Sequence, residues 1–301
     1  MHKGYKFPNR TPAFGRSKPL AFTIISKGKI LSLTVHNTRE YIDPKNFRLI
    51  VLLYSLPGCG KTTWVGTCPP EDTGIAACET GVGKGLLTIA DRGFECCEPE
   101  NLNELEKFCR GEVFPTKRIL VLDSLSSMAK TFVKDAALAI PRKQGESPKR
   151  KLGIPELDDY GSIGEMTRKL INILCGANPT KHIIVTATEK YDRPNENDPP
   201  GTESLIGPDL AGQMFLGAPA MFDFVLRLRT RPKLRNPADA KTRYNERYFL
   251  TSQESGVIAK SRSNSKGIPL LSREEIFDLT TGEGSFQYLL DKILKGYREA
   301  K

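Results

Sequence analysis

The chain has 301 residues, 39% hydrophobic and 27% charged, which is long and apolar enough to bury the core of at least one domain. No uninterrupted apolar run approaches the length that crosses a bilayer, which argues against a transmembrane segment and a membrane partner. The formal net charge of +10 fits either a polyanionic partner such as nucleic acid or a surplus of charge for solubility.

Cysteine and histidine usage narrows the possible compartments and metal sites. The seven cysteines are odd in number and show no CxxC spacing, and the three histidines are far apart in sequence. This pattern favours reduced thiols in a cytosol-like compartment. It argues against a disulfide framework, a zinc site and a histidine-built metal site.

Residues 1–45 form a basic N-terminal extension. The first 39 residues contain no Asp or Glu but eight lysines and arginines. Such an arm fits contact with nucleic acid, a disordered extension or a transit peptide. Apolar β-formers on either side of residues 26–29 predict a small hairpin, which argues against the transit peptide and leaves the other two open.

From Arg48 onward, strand and helix patterns alternate. The run 48–54 (RLIVLLY) is apolar without alternation, as buried parallel strands are. Further strands are predicted at 74–78, 118–122, 182–187, 222–228 and 247–251, and helices after residue 62 and at 101–110, 125–140, 163–175 and 286–294. This order predicts an α/β fold with a doubly wound, mostly parallel sheet. We assign residues 46–268 to the core and 269–301 to a C-terminal helical segment.

A phosphate-binding loop follows the first core strand. Its sequence, SLPGCGKT over residues 55–62, has the GxxxxGK[ST] form with Ser55 in place of the first glycine. Glycines let backbone amides converge on phosphate oxygens, the lysine reaches the β and γ phosphates, and the threonine hydroxyl is a ligand for Mg²⁺. The predicted ATP-binding residues are Pro57, Gly58, Cys59, Gly60, Lys61, Thr62 and Thr63.

Two acidic residues are expected at the same edge of the sheet. Asp123 ends the apolar run ILVL and has the form of a Walker B aspartate, which would hold Mg²⁺ together with Thr62. Asp123 is also suited to cap the next helix, and the two roles are compatible. Ser124 stands where many ATPases carry a catalytic glutamate. Glu79, after the second core strand, is therefore our candidate base.

The order of these motifs resembles that of RecA-type recombinases. It includes residues 53–63, then Ala77-Cys78-Glu79, then residues 121–125. The chain is more closely similar to phage-encoded RecA-like annealing ATPases, through the sequences ATEK (187–190) and PDLAG (208–212) and a late Lys-x-Arg. The resemblance implies a RecA-like P-loop NTPase core over roughly residues 49–294 and makes Glu79 the general base.

The late Lys-x-Arg is Lys260-Ser261-Arg262. In ring or filament RecA-like ATPases such a pair reaches the γ phosphate bound by the neighbouring subunit, where it stabilises the transition state. The resemblance therefore implies a homo-oligomer. A solvated basic turn is the alternative. Thr188 stands about where RecA carries a glutamine that senses the γ phosphate.

The resemblance also places two DNA-binding loops, at residues 141–160 and 189–207. Basic residues in the first would follow a phosphate backbone, and an aromatic in the second would stack on a base. The candidate contacts are Arg142, Lys143, Lys149, Arg150 and Lys151 in the first loop and Tyr191 and Arg193 in the second. Solvated loops without a ligand are the alternative for both.

The functional expectation is an ATPase that binds single-stranded DNA and anneals or recombines it, with ATP and Mg²⁺ at subunit interfaces. A single-strand DNA-binding protein is a possible further partner, and the resemblance implies the cytoplasm of a bacterial host. Two alternatives stay open: a phage packaging or helicase-like motor, and a slowly hydrolysing, nucleotide-gated scaffold. Ser124 and Thr188 keep the scaffold alternative open.

Overall fold

The structure is a computed structural model that describes residues 20–26, 29–35, 38–79, 85–140, 154–194, 199, 201–236 and 239–299. Within the basic extension, strands β1 (Leu20–Ser26) and β2 (Lys29–Val35) pair in an antiparallel, two-stranded sheet. This confirms the predicted hairpin.

A larger sheet forms the centre of the molecule and contains nine strands from the described residues. They are β3 (Ile50–Ser55), β4 (Thr73–Ala77), β5 (Glu95–Cys97), β6 (Ile119–Asp123), β7 (His182–Asp192), β8 (Leu205–Pro208), β9 (Phe224–Leu234), β10 (Arg243–Leu250) and β11 (Glu274–Phe277). The order is β11-β10-β9-β3-β7-β6-β4-β5, with β8 paired to the far end of β7. The six predicted strands are present, and β5, β8 and β11 are additional.

Strands β9, β3, β7, β6, β4 and β5 are parallel to one another, while β10, β11 and β8 run antiparallel to their neighbours. The first strand of the core, β3, therefore lies between two strands that come much later in the chain. This arrangement is that of a RecA-like P-loop NTPase and confirms the predicted fold class. It brings the carboxyl ends of β3, β4, β6 and β7 to one edge, where ligands bind in open α/β sheets.

Helices cover both faces of the sheet. They are α1 (Lys61–Val65), α2 (Leu102–Cys109), α3 (Leu125–Met128), α4 (Lys134–Ala139), α5 (Leu157–Gly176), α6 (Met214–Ala220) and α7 (Phe286–Arg298). A π-helical turn over Ala129–Val133 joins α3 to α4, so the helix predicted at 125–140 is present but not regular. Within the described ranges, no helix is both long enough and apolar enough to cross a membrane.

The unbroken apolar run of β3 is explained by two separate cores. Leu52 and Tyr54 belong to a core shared with α2 and α5, whereas Val51 and Leu53 belong to one shared with α1 and α7. Successive side chains of a strand point to opposite faces. Because both faces of β3 are covered, every position is buried and no alternation remains in the sequence.

Residues 269–301 do more than form the expected helical segment. They contribute β11 to the central sheet and dock α7 against α1. Trp64 of α1 is fully buried there: its indole N–H donates to the Gly284 carbonyl at 2.8 Å, and its ring packs edge-on against Phe286. The C-terminal segment thus fixes the helix that follows the phosphate loop.

His182 makes the stability of this fold depend on pH. Its Nδ1 accepts a hydrogen bond from the Leu49 amide at 2.9 Å, and burial, with a smaller contribution from Arg118, lowers its pKa to about 4. The unfolded chain, with an ordinary pKa of about 6.5, binds the proton first. We expect about 3 kcal/mol of stability, fully present above pH 6.5, to be lost as pH falls to 4.

Urea unfolding of the native chain and of His182→Gln at several pH values checks this expectation. The variant removes the titrating group, so the difference in unfolding free energy between the two proteins should shrink as the pH falls from 6.5 to 4. A difference that stays constant over this range would contradict the assignment.

Candidate nucleotide site

The phosphate loop joins β3 to α1 at the carboxyl edge of the sheet. Gly58 has φ of +80° and Gly60 has φ of +105°, conformations that other residues rarely adopt. An ideal Cβ at Gly60 would also lie 2.9 Å from Nε of Arg247, so a side chain there would displace the arginine. Both glycines are therefore required by the backbone path of the loop.

Ser55, the residue in place of the first glycine, is fully buried and contacts the loop lysine. The Lys61 ammonium donates to the Ser55 hydroxyl at 3.2 Å and to its carbonyl at 3.3 Å. Burial lowers the pKa of Lys61, and the nearby carboxylate of Asp123 opposes that shift. The lysine is thus held at the mouth of the loop by a side chain that glycine would not provide.

Asp123 lies where the Walker B interpretation placed it. Its carboxylate is only 6% exposed and accepts hydrogen bonds from the Thr62 hydroxyl, at 3.4 Å, and from the Thr186 hydroxyl. Sequence reasoning missed Thr186, although a polar residue inside the buried run HIIVTA is a usable signal. The two threonines, from α1 and β7, fix the orientation of the Asp123 carboxylate.

The donor set at Asp123 fits a magnesium ion. Hydroxyl and carboxylate oxygens are the ligands that Mg²⁺ prefers, and it usually keeps waters and phosphate oxygens as well. In the described part of the chain, no group of three or more His, Cys, Asp or Glu side chains could hold a metal by itself. Thr62 and Asp123 would therefore hold the ion jointly with a nucleotide.

Ser124, rather than Asp123, caps the next helix. Its side chain accepts from the Ser127 amide at 3.3 Å and contacts the Ser127 hydroxyl at 3.0 Å. Satisfying a free amide in the first turn is the usual role of an N-cap serine. The capping alternative for Asp123 is therefore wrong, and its carboxylate is available to the nucleotide site.

Glu79 faces the same space as Thr62. A Cβ added to Gly85 would lie 3.4 Å from Oε2 of Glu79 and 3.7 Å from the Thr62 hydroxyl. The chain reaches this position because the Cys78 amide donates to the Asp123 carbonyl at 2.6 Å. Partial burial, followed by repulsion from Asp123, raises the pKa of Glu79. A carboxylate of raised basicity at the nucleotide site suits a general base.

A family model described as an AAA domain matches residues 48–263, more than two thirds of the chain. The chain belongs to this AAA family. The phosphate loop, Glu79 and Asp123 all lie inside the matched range, and the protein is an AAA-type P-loop ATPase.

Comparisons with curated proteins and with solved structures identify no further family. No curated protein matches the chain. Among solved structures, 76 chains match. One is the crystal structure of a KaiC-like protein from the hyperthermophilic archaeon Pyrococcus horikoshii. It is 17% identical, with a TM-score of 0.38, and the match covers 76% of this chain and 84% of that chain. A likeness at this level carries no argument about function.

A buried ion pair lies beneath the nucleotide site of the ATPase. Arg227 of β9 donates to both carboxylate oxygens of Glu189 at the end of β7, at 2.7 and 2.8 Å, and both side chains are almost fully buried. Strand β3 runs between β9 and β7, and its Tyr54 pairs with Arg227 and donates to the Ile258 carbonyl at 2.6 Å. An arginine inside the apolar run FDFVLRL was a signal for this pair that the sequence analysis did not use.

Lys260 and Arg262 lie away from the phosphate loop of their own chain. Lys260 pairs with Val225 near the start of β9, and Arg262 forms an ion pair of 2.5 Å with Asp223. The phosphate loop follows the opposite, carboxyl end of β3, which is parallel to β9. Neither side chain therefore belongs to the nucleotide site of its own chain.

The candidate DNA contacts are only partly described. Arg142, Lys143, Lys149, Arg150 and Lys151 lie outside the described residues. Tyr191 and Arg193 are exposed, with Tyr191 52% accessible near the end of β7. The two expected loops are shorter than predicted because α5 begins at Leu157, β7 continues to Asp192 and β8 begins at Leu205.

Replacing Glu79 with Gln tests the general base of the ATPase. The amide keeps the shape but cannot accept a proton, so turnover should fall by about 10²- to 10⁴-fold with little change in nucleotide affinity. The measurement is steady-state ATP hydrolysis together with binding of a fluorescent ATP analogue. Glu112→Gln, an exposed glutamate in the loop before β6, is the matched control. Normal turnover in Glu79→Gln would remove Glu79 from the mechanism.

Proposed function

We propose that this ATPase binds single-stranded DNA and couples ATP hydrolysis to annealing or strand exchange. The observation that carries the proposal is a cavity of about 570 Å³ at the same edge of the sheet as the nucleotide site. Of the described residues, its lining includes three lysines, from α4, the π-helical turn before it and β7, and one carboxylate.

Among the described residues, the charge of this cavity is loosely compensated. Lys130 pairs with the lining carboxylate of Asp209. The ammonium groups of Lys134 and Lys190 have contacts of only 3.9 and 3.8 Å, to Asp135 and Asp192. Loosely paired lysines around a cavity favour a phosphate backbone as ligand.

An aromatic side chain accompanies these lysines. Tyr160 of α5 lines the cavity and is 44% exposed, whereas Tyr191, next to Lys190 in β7, is exposed on the other face of that strand. Bases of single strands stack on such rings with little dependence on sequence. The lining elements also flank both segments that the sequence analysis assigned to DNA loops.

The cavity and the nucleotide site are joined through one strand. Thr186 of β7 contacts Asp123, and Lys190 lines the cavity four residues later. Between them, the Thr188 amide donates to the Ser126 hydroxyl at 3.0 Å, and the Thr188 carbonyl accepts from the Asp209 amide at 2.6 Å. A shift of β7 on nucleotide binding would therefore move cavity residues, which supports coupling of the two ligands.

The active form in this proposal is a head-to-tail homo-oligomer with ATP and Mg²⁺ between subunits. Thr62 and Asp123 would hold the ion, which neutralises charge on the phosphates. Lys260 and Arg262, at the far end of β9, would complete the site of the neighbouring subunit. Heterologous contacts of this kind generate rings or filaments.

The first test is ATP hydrolysis with and without single-stranded DNA at two salt concentrations, with Lys61→Ala as the blank. We expect stimulation that weakens as salt rises, since phosphate contacts release counterions.

A second test measures how the DNA-binding constant depends on salt. Lys134→Ala should lower the slope of log binding constant against log salt concentration by about 1. Lys295→Ala, which changes an exposed lysine of α7, should leave this slope unchanged.

The hydrolysis assay also separates the alternatives. If the rate of ATP hydrolysis does not change when single-stranded DNA is added, and no DNA binds at low salt, the slowly hydrolysing scaffold is favoured and the proposal is overturned. Directional unwinding or translocation would favour the motor.

The trans role of Arg262 has its own test. Arg262→Ala should lower turnover by about 10³-fold or more while nucleotide binding stays nearly intact. Mixing it with Lys61→Ala should restore hydrolysis, because the Lys61→Ala subunit still donates Arg262 to a neighbour with an intact phosphate loop. Arg273→Ala, which removes an exposed arginine paired to Glu254, is the control. Equal loss of binding and turnover, or no recovery on mixing, would contradict the assignment.

A further inference from the structure

Arg247 of β10 lies at the phosphate loop of its own chain. In the sheet it pairs with Thr230 of β9, three residues beyond Arg227, which pairs with Tyr54 near the end of β3. Three residues of strand span about 10 Å. Arg247 therefore stands beyond the end of β3, at the level of the loop.

The side chain of Arg247 reaches over Gly60. A Cβ built on Gly60 would lie 2.9 Å from Nε and 3.4 Å from Cζ of Arg247. The guanidinium is thus in van der Waals range of the residue that immediately precedes Lys61. Since β10 pairs along its length with β9 and with β11, the position of Arg247 is set by the sheet and not by a loop.

The guanidinium of Arg247 makes no hydrogen bond or ion pair with any residue that the structure describes, although the residue is partly buried. Three nearby cations of β9 do form ion pairs within the chain. Arg227 pairs with Glu189, and Arg231 and Lys233 both pair with Glu246. An arginine left without a carboxylate in such surroundings has its donors available for an anion from outside the chain.

The charge of the nucleotide site also favours a role for Arg247 in binding an anion. Among the described residues at the phosphate loop, the carboxylates of Glu79 and Asp123 lie near the ammonium of Lys61. A nucleotide adds further negative charge on its phosphates. A second cation close to Gly60 would offset part of this repulsion, and a planar guanidinium matches phosphate oxygens in a bidentate geometry.

We propose that Arg247 binds the phosphate groups of the nucleotide held by the same subunit. It is a cis cation, in contrast to Lys260 and Arg262, which lie at the other end of β9. Its role is to bind nucleotide, whereas the pair at 260 and 262 would act on turnover. The proposal concerns the nucleotide site alone and holds whether or not DNA is the partner.

The test measures the affinity of Arg247→Ala for ATP and GTP by calorimetry, in the absence of nucleic acid and on protein diluted until it sediments as a monomer. Loss of a charge-assisted contact should weaken ATP binding by about 10- to 100-fold. The loss should be equal for GTP, because the contact is to phosphate and not to the base. Arg247→Lys should recover part of the affinity.

Arg229→Ala is the matched control. Arg229 is exposed on β9, pairs with Tyr248, and therefore points to the opposite face from Arg247. The Arg229→Ala protein should bind ATP and GTP with the same affinities as the native protein. Arg247→Gln removes the charge with less loss of packing and serves as the second variant if Arg247→Ala fails to fold.

Two results would overturn the proposal. One is unchanged nucleotide affinity in the folded Arg247→Ala or Arg247→Gln protein. The other is a loss confined to ATP, which would place the contact on the base.

Discussion

Four parallel strands, β3, β7, β6 and β4, end at one edge because their registers pair Ser55 with Thr188 and Ala77 with Asp123. Each functional group of the site stands at or just beyond one of these ends. A shift of one residue in any pairing would turn the side chains of that strand to the other face. The two apolar cores, which bury both faces of β3, hold the register and so hold the site.

The Arg227–Glu189 pair extends this constraint to the strand beside the phosphate loop. Removing two charges from water is costly, and the bidentate geometry recovers that cost only while both partners are present. The pair therefore ties β7 to β9 around Tyr54 in one arrangement. It also connects the last part of β7, which leads to the lysine-lined cavity, with β9. At the opposite end of β9, Asp223 directly precedes the strand and pairs with Arg262.

The sequence alone was enough to locate those parts of the candidate site whose residues are consecutive in the chain. The phosphate loop and Asp123 follow apolar runs directly, so strand, loop and ligand could be predicted together. Arg247 could not, because it reaches Gly60 only through a sheet order that brings β10 close to β3. The same holds for Thr186, whose role appears once β7 lies beside β6. Strand lengths were underestimated at β7 and β9, where polar residues continue the pairing beyond the apolar run.

Ser55 supplies acceptors for the Lys61 ammonium from within the phosphate loop itself. Its hydroxyl and carbonyl occupy two of the three donors of the Lys61 ammonium. A phosphate that used all three donors would displace these oxygens, and its binding would then reflect the difference between two sets of contacts. A glycine at position 55 would leave the lysine only the backbone carbonyl, so the serine hydroxyl gives Lys61 an acceptor that the usual first glycine of the loop lacks.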